Sequence, residues 1–96
     1  MYDLDTALLR TFMTLAETGS FTRTAERVGR SQSAISMQMG RLEELMTTRL
    51  INRGKRTITL TPAGEKLLSY ARQMVNLSDS MIAHFRSPAI AGAVTF

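Results

Sequence analysis

The stretch GSFTRTAERVGRSQSAISMQMGRLEELM, residues 19–46, decides the fold. Glycine and serine punctuate it: Gly19-Ser20 open it, and Gly29 and Ser31 bracket a break in its middle. Glycine ends helices because it enters the left-handed conformation without a Cβ penalty. Serine starts them by accepting a hydrogen bond from a free backbone N–H. The pattern predicts one helix over about Phe21 to Val28 and a second from about Ser31 to Met46, joined by a very short turn. In the second helix Ile35, Met39, Leu42 and Met46, with Ala34 beside them, recur at helical spacing and make one stripe that faces a core. The opposite stripe carries Ser33, Ser36, Met37 and Gly40, where a solvated helix would carry lysine and glutamate. Small side chains suit close approach to a large partner, and the major groove of DNA admits a helix. Two helices crossing at a short glycine-containing turn form a helix-turn-helix.

Working outward, Asp3 and Asp5 suit the start of a preceding helix, as caps and as negative charge at its positive end. Leu8, Leu9, Phe12, Met13, Leu15 and Ala16 give it a broad apolar face, and Gly19 stops it. In the next helix Phe21, Ala25 and Val28 are expected to point inward and Thr22, Arg23 and Thr24 outward. Beyond Met46, Leu50 and Ile51 begin an extended piece. Asn52-Arg53-Gly54-Lys55-Arg56 interrupts it, and Thr57 to Leu60 then alternate polar and apolar as a half-buried strand does. Such a hairpin is marginal alone, so Ile51, Ile58 and Leu60 are expected to pack on the helices.

Thr61-Pro62 is a helix start, a capping hydroxyl followed by proline at the first helical position. The helical pattern then runs to about Arg86, about 37 Å at 1.5 Å per residue. Leu67, Ala71, Met74, Ser78, Met81 and Phe85 form one seam on it, with Leu68, Val75 and Ile82 in a neighbouring stripe. A helix this long exceeds what so small a domain covers, and the seam is read as a dimer surface. Ser87-Pro88 breaks the helix, and Ala89 to Phe96 resembles the start of a further domain. The expected architecture is mainly α: a winged helix-turn-helix of three helices and a two-stranded β-hairpin wing over residues 3–61, a long dimerising linker helix over 62–86, and a hinge with the beginning of a second domain over 87–96, which the resemblance given below implies is effector-binding.

Composition narrows the functions. The 96 residues carry a net charge of +4. Residues 1–50 balance six basic against six acidic side chains, so the excess lies in residues 51–96, with Arg53, Lys55 and Arg56 clustered around Gly54. An uncompensated basic loop beside a helix-turn-helix reads as a phosphate clamp. Without cysteine there is no thiolate nucleophile or thiolate metal site, and His84 is the only histidine. No nucleophile-base pair, metal cluster or phosphate loop assembles, so the chain is read as non-enzymatic and free of metal and cofactor. Neither a leader nor a membrane-spanning run is seen, and a cytoplasmic, nucleoid-associated location is expected.

These residues resemble the DNA-binding domain of LysR-type transcriptional regulators. The resemblance rests on Leu9-Arg10-Thr11-Phe12, Gly19-Ser20-Phe21-Thr22, Ala25-Glu26-Arg27 and Ser31-Gln32-Ser33-Ala34-Ile35-Ser36. It continues through Gln38, Arg41-Leu42-Glu43, Leu50, Arg53, Leu60-Thr61-Pro62-Ala63-Gly64 and Ala71-Arg72, in order over about residues 3–86. It implies a winged helix-turn-helix, a linker helix that pairs two subunits, tetramers in the full-length protein, and a C-terminal domain sensing a small-molecule effector. It also implies a partly palindromic operator in double-stranded DNA, with RNA polymerase as a further partner. The chain departs from the family pattern at Ser33, where proline is usual, and at Met37 and Gly40, where long polar residues are common. Thr47 replaces a common glycine and Ile51 a common phenylalanine.

Base reading needs short or forked hydrogen-bonding groups near the start of the recognition helix. Gln32, Ser33, Ser36 and Met37 hold those positions. Gln32 suits adenine, the serines are permissive, and Met37 suits a thymine methyl. Candidates for phosphate or minor-groove contacts are Thr22, Thr24, Arg30, Ser31, Gln38, Arg41, Arg53, Lys55 and Arg56. Arg53 has a competing role as the partner of Glu43 or Glu44, and Arg10 is read as a surface charge. The alternative reading is a dimerising winged helix that docks on proteins without binding DNA.

Overall fold

A computed structural model describes residues 4–54 and 56–86. Asp3, Lys55 and the segment 87–96 lie outside the described residues, and with them the expectations for those positions. The element order is α1 (Thr6–Thr18), α2 (Phe21–Val28), α3 (Gln32–Met46), β1 (Ile51–Asn52), β2 (Thr59–Leu60) and α4 (Pro62–Arg86).

The caps fall where the side-chain chemistry asks for them. Asp5 accepts from the Ala7 N–H at 2.9 Å, Ser20 from Arg23 at 3.1 Å, and Ser31 from Ala34 at 3.1 Å. Thr61 does two jobs, accepting from the Gly64 N–H at 3.0 Å and donating to the Arg49 carbonyl at 2.6 Å. Gly29 sits at φ +73° and returns its N–H to Ala25 at 2.9 Å, which stops α2 within one residue. Thr47 closes α3 in the left-handed conformation at φ 56°, the geometry in which a β-branched residue is strained and glycine is not.

The strands are shorter than the alternation predicts. β1 and β2 pair antiparallel with Ile51 opposite Leu60 and Asn52 opposite Thr59. Ile58 does not extend the pair, because its N–H bonds the Gly19 carbonyl at 2.9 Å and so ties the wing to the end of α1. Ile58 and Leu60 still pack against the core, and Ile51 is buried within it, as a two-stranded hairpin requires.

The core joins Phe12 and Leu15 of α1, Ala25 of α2, Ile35, Met39 and Leu42 of α3, Leu50 and Ile51 beside the wing, and Leu68 of α4. A second cluster of Leu9, Ala71 and Val75 joins α1 to α4. Across the same helix pair Arg10 and Asp79 form an exposed ion pair. The Asp79 carboxylate, by hydrogen bond and by charge, raises the Arg10 pKa further above its ordinary value.

The first turn of α4 lies directly on the backbone of Leu50. A Cβ at Gly64 would stand 2.0 Å from the Leu50 carbonyl oxygen, so only glycine fits. Alanine would gain about 1 kcal/mol of helix propensity and lose more than that to the clash. Gly64→Ala is therefore expected to destabilise the chain by about 2 kcal/mol, measured as a lower denaturation midpoint in urea at unchanged slope.

Candidate nucleic-acid interface

Burial fixes how α3 is turned. Ile35, Met39 and Leu42 are almost wholly buried, which leaves Gln32, Ser33, Ser36 and Met37 exposed on the outer face. These four, with the half-buried Phe21 of α2, line an open depression of about 690 Å³. The residues lining it carry no formal charge. Gly40 continues the same face, and a Cβ there would meet nothing within 4 Å, so packing within the subunit does not require the glycine.

The phosphate candidates divide into three groups. Thr22 is exposed on α2, and Ser31 caps α3 with its hydroxyl 3.2 Å from that of Ser33. Arg30, Gln38 and Arg41 line a separate recess with Leu4, Asp5, Ala7 and Leu8, on the flank of α3 that meets the start of α1. There Gln38 Oε1 is buried without a hydrogen-bond partner among the described residues. Thr24 is a correction. It is fully buried, and its hydroxyl lies 2.8 Å from that of Thr18. It fastens α2 to the end of α1 and cannot reach a phosphate. In an eight-residue helix, the side facing a neighbour is decided by that neighbour, and α1 claims the Thr24 side.

On the wing, Arg56 is exposed and Arg53 donates to Glu43 Oε1 at 3.1 Å. Glu43 Oε2 accepts from the backbone N–H groups of Leu50 at 2.9 Å and Ile51 at 3.3 Å. One carboxylate thus joins α3, β1 and the basic loop. Burial pushes the Glu43 pKa up, but the two backbone donors and then the Arg53 guanidinium outweigh it and hold the carboxyl below its ordinary value.

The long helix corrects the seam. Leu68, Ala71 and Val75 are buried within their own subunit, the last two against α1, and are not available to a second chain. Leu67 is half-buried against the core, and Ser78 is also half-buried. The exposed apolar stripe consists of Tyr70, Met74, Leu77, Met81 and Phe85, with Ile82 at its edge. The seam read from sequence omits Tyr70 and Leu77, although Leu77 is 72% exposed. Their signal in the sequence is a second three- and four-residue spacing, Tyr70, Met74, Leu77 and Met81, which shares Met74 and Met81 with the first.

Residues 6–65 match the model of the bacterial regulatory helix-turn-helix protein, lysR family. The chain belongs to that family. Among curated LysR-type relatives it is 39% identical over 93 residues to the HTH-type transcriptional regulator DgdR of Burkholderia cepacia, covering 97% of this chain and 32% of that protein. It is 44% identical over 78 residues to the HTH-type transcriptional activator AllS of Klebsiella pneumoniae, covering 81% of this chain and 29% of AllS. The chain therefore spans about a third or less of the length of these relatives. Among solved structures, a BenM_DBD/catB site 1 DNA complex superposes with a TM-score of 0.87 at 28% identity, covering 97% of this chain and all of that one. Vibrio fischeri DarR in complex with DNA gives 0.83 at 29% identity, covering 86% of this chain and 28% of DarR. A winged helix-turn-helix leading into a long helix is the fold of this LysR-family domain.

The Glu43 node makes a stability prediction with a definite sign. A carboxyl whose pKa is lowered on folding adds stability in full above its ordinary value of 4.5, and that stability is lost as the pH falls through the lowered folded value. Glu43→Gln should cost about 1–2 kcal/mol near neutral pH. The difference from the parent chain should shrink towards zero on acidification below that ordinary value. Urea melts of both proteins across this range measure it.

Proposed function

We propose that this chain is the sequence-specific DNA-binding module of a bacterial LysR-type transcription regulator, acting on a partly palindromic operator as a dimer. The observation that carries the proposal is the outer face of α3. Gln32, Ser33, Ser36 and Met37 stand exposed on a helix whose opposite side is sealed into the core, in a LysR-family domain that superposes on DNA complexes. In this reading α3 enters the major groove. Gln32 reads adenine, Ser33 and Ser36 add permissive contacts, and Gly40 lets the helix sit close. Thr22, Ser31, Arg53, Lys55 and Arg56 meet phosphates or the minor groove, and Arg30 and Arg41 add positive charge on the flank. Arg53 keeps its bond to Glu43 while doing so, which fixes the wing relative to α3.

Tyr70, Met74, Leu77, Met81 and Phe85 pair two copies along α4, and residues 62–86 link the reading head to a C-terminal domain. For the whole protein we propose a tetramer, a small-molecule effector bound by that C-terminal domain, contact with RNA polymerase and a place on the nucleoid in the cytoplasm. No catalytic role is proposed. Among the described residues no helix is long and apolar enough to cross a membrane, and no group of three His, Asp or Glu side chains converges to hold a metal.

Two substitutions test the reading. Gln32→Ala should weaken binding to a selected operator by about 1–3 kcal/mol and relax preference at one base pair. An equal loss on random DNA would contradict base reading there, and affinity indifferent to salt would favour a protein-docking domain. Leu77→Asp, at an exposed position, should leave the helical content unchanged and convert the dimer to a monomer in sedimentation velocity. A dimer that persists contradicts the α4 stripe.

A further inference from the structure

Met37 is 66% exposed on α3, a helix whose other apolar side chains are all buried or half-buried. None of the described residues covers it. Beside it, the ring of Phe21 at the first position of α2 forms the second apolar element of the open depression, with Ser33, Ser36 and the Gln32 amide completing the lining. The chemistry of this surface is selective. Guanine presents N7 and O6, two acceptors that call for arginine or lysine. A thymine edge instead presents a C5-methyl group, which is read by apolar contact. Among the described residues, the depression offers a thioether and a phenyl ring and no cation. An unbranched, polarizable methionine adjusts to such a group without fixed geometry.

We propose that Met37 and Phe21 form a receptor for the 5-methyl group of a pyrimidine in the major groove. It would recognise thymine, and equally 5-methylcytosine where cytosine carries that modification. The proposal rests on the reading of α3 as the groove-entering helix. It adds that the methyl itself, rather than the Watson–Crick identity of the pair, is what this position senses. Guanine is disfavoured there because its acceptors would meet apolar carbon and sulfur.

The test uses the full chain and a duplex selected by it from a random-sequence pool. Each thymine of that duplex is replaced in turn by deoxyuridine, which removes only the methyl. At the same positions, cytosine is compared with 5-methylcytosine. One thymine per half-site should show about a fourfold loss of affinity on becoming uracil, the value expected for one buried methyl. At that position 5-methylcytosine should bind about fourfold tighter than cytosine. A loss at uracil together with a gain at 5-methylcytosine upholds the receptor, whereas a loss at uracil with no gain at 5-methylcytosine overturns the claim that the methyl itself is sensed. Met37→Ala, at an exposed position, should abolish both effects while salt-dependent binding persists. A flat uracil scan on a duplex that still binds overturns the methyl receptor and leaves DNA reading intact. Methyl effects that survive in Met37→Ala overturn the assignment to this side chain. Failure to select any duplex overturns both.

Discussion

The rotation of α3 about its own axis is the constraint on which the rest depends. Ile35, Met39 and Leu42 are closed into the core, and burying side chains of this size contributes about 1.5–3 kcal/mol each. Turning the helix by one residue would bring Ser36 and Gly40 into the core and expose those three. The outer face is thus set by the inner one. Ser31 fixes where the helix begins, and Glu43 fixes its other half to the Leu50 and Ile51 backbone and to Arg53. The exposed residues of α3 and the wing are held as one rigid unit by local bonds at both ends of one helix.

The long helix obeys the same logic with two faces instead of one. Gly64 lets its first turn lie on Leu50, while Leu68 enters the main core and Ala71 and Val75 pack on Leu9 of α1. Small residues where α4 approaches its own domain leave the larger Tyr70, Met74 and Leu77 on the outside. The helix satisfies its own subunit on one stripe and keeps a second apolar stripe exposed, and that second stripe is the one the proposed dimer would bury. Met81 and Phe85 carry that stripe beyond the Arg10–Asp79 pair that joins α4 to α1.

Local chemistry was legible in the sequence and rotational choices were not. Asp5, Ser20, Ser31, Thr61 and the helix-ending glycines announce element ends through side-chain and backbone preferences that act within four residues. Which face of α3 is buried and which is exposed was legible because fifteen residues give the apolar stripe four repeats. Thr24 was not, since its partner Thr18 belongs to another helix and a threonine serves a buried hydroxyl pair as well as a surface. On α4 the pattern showed that apolar side chains outnumber what one face needs. Which stripe α1 takes depends on shape, so the sequence pattern puts Ala71 in the seam and does not single out Tyr70 and Leu77. Arg10 and Asp79, 69 residues apart, meet only once the helices are packed.

The central claim is that the outer face of α3 is what meets DNA, and the seven methionines of the chain report on it directly. With their methyl groups carbon-13 labelled, NMR resonances can be followed as a selected duplex is added to the full chain. The account predicts that the Met37 methyl shifts on binding while that of Met39, two residues away but 1% exposed in the core, stays close to its free position. A duplex that binds while the Met37 resonance does not move would contradict it.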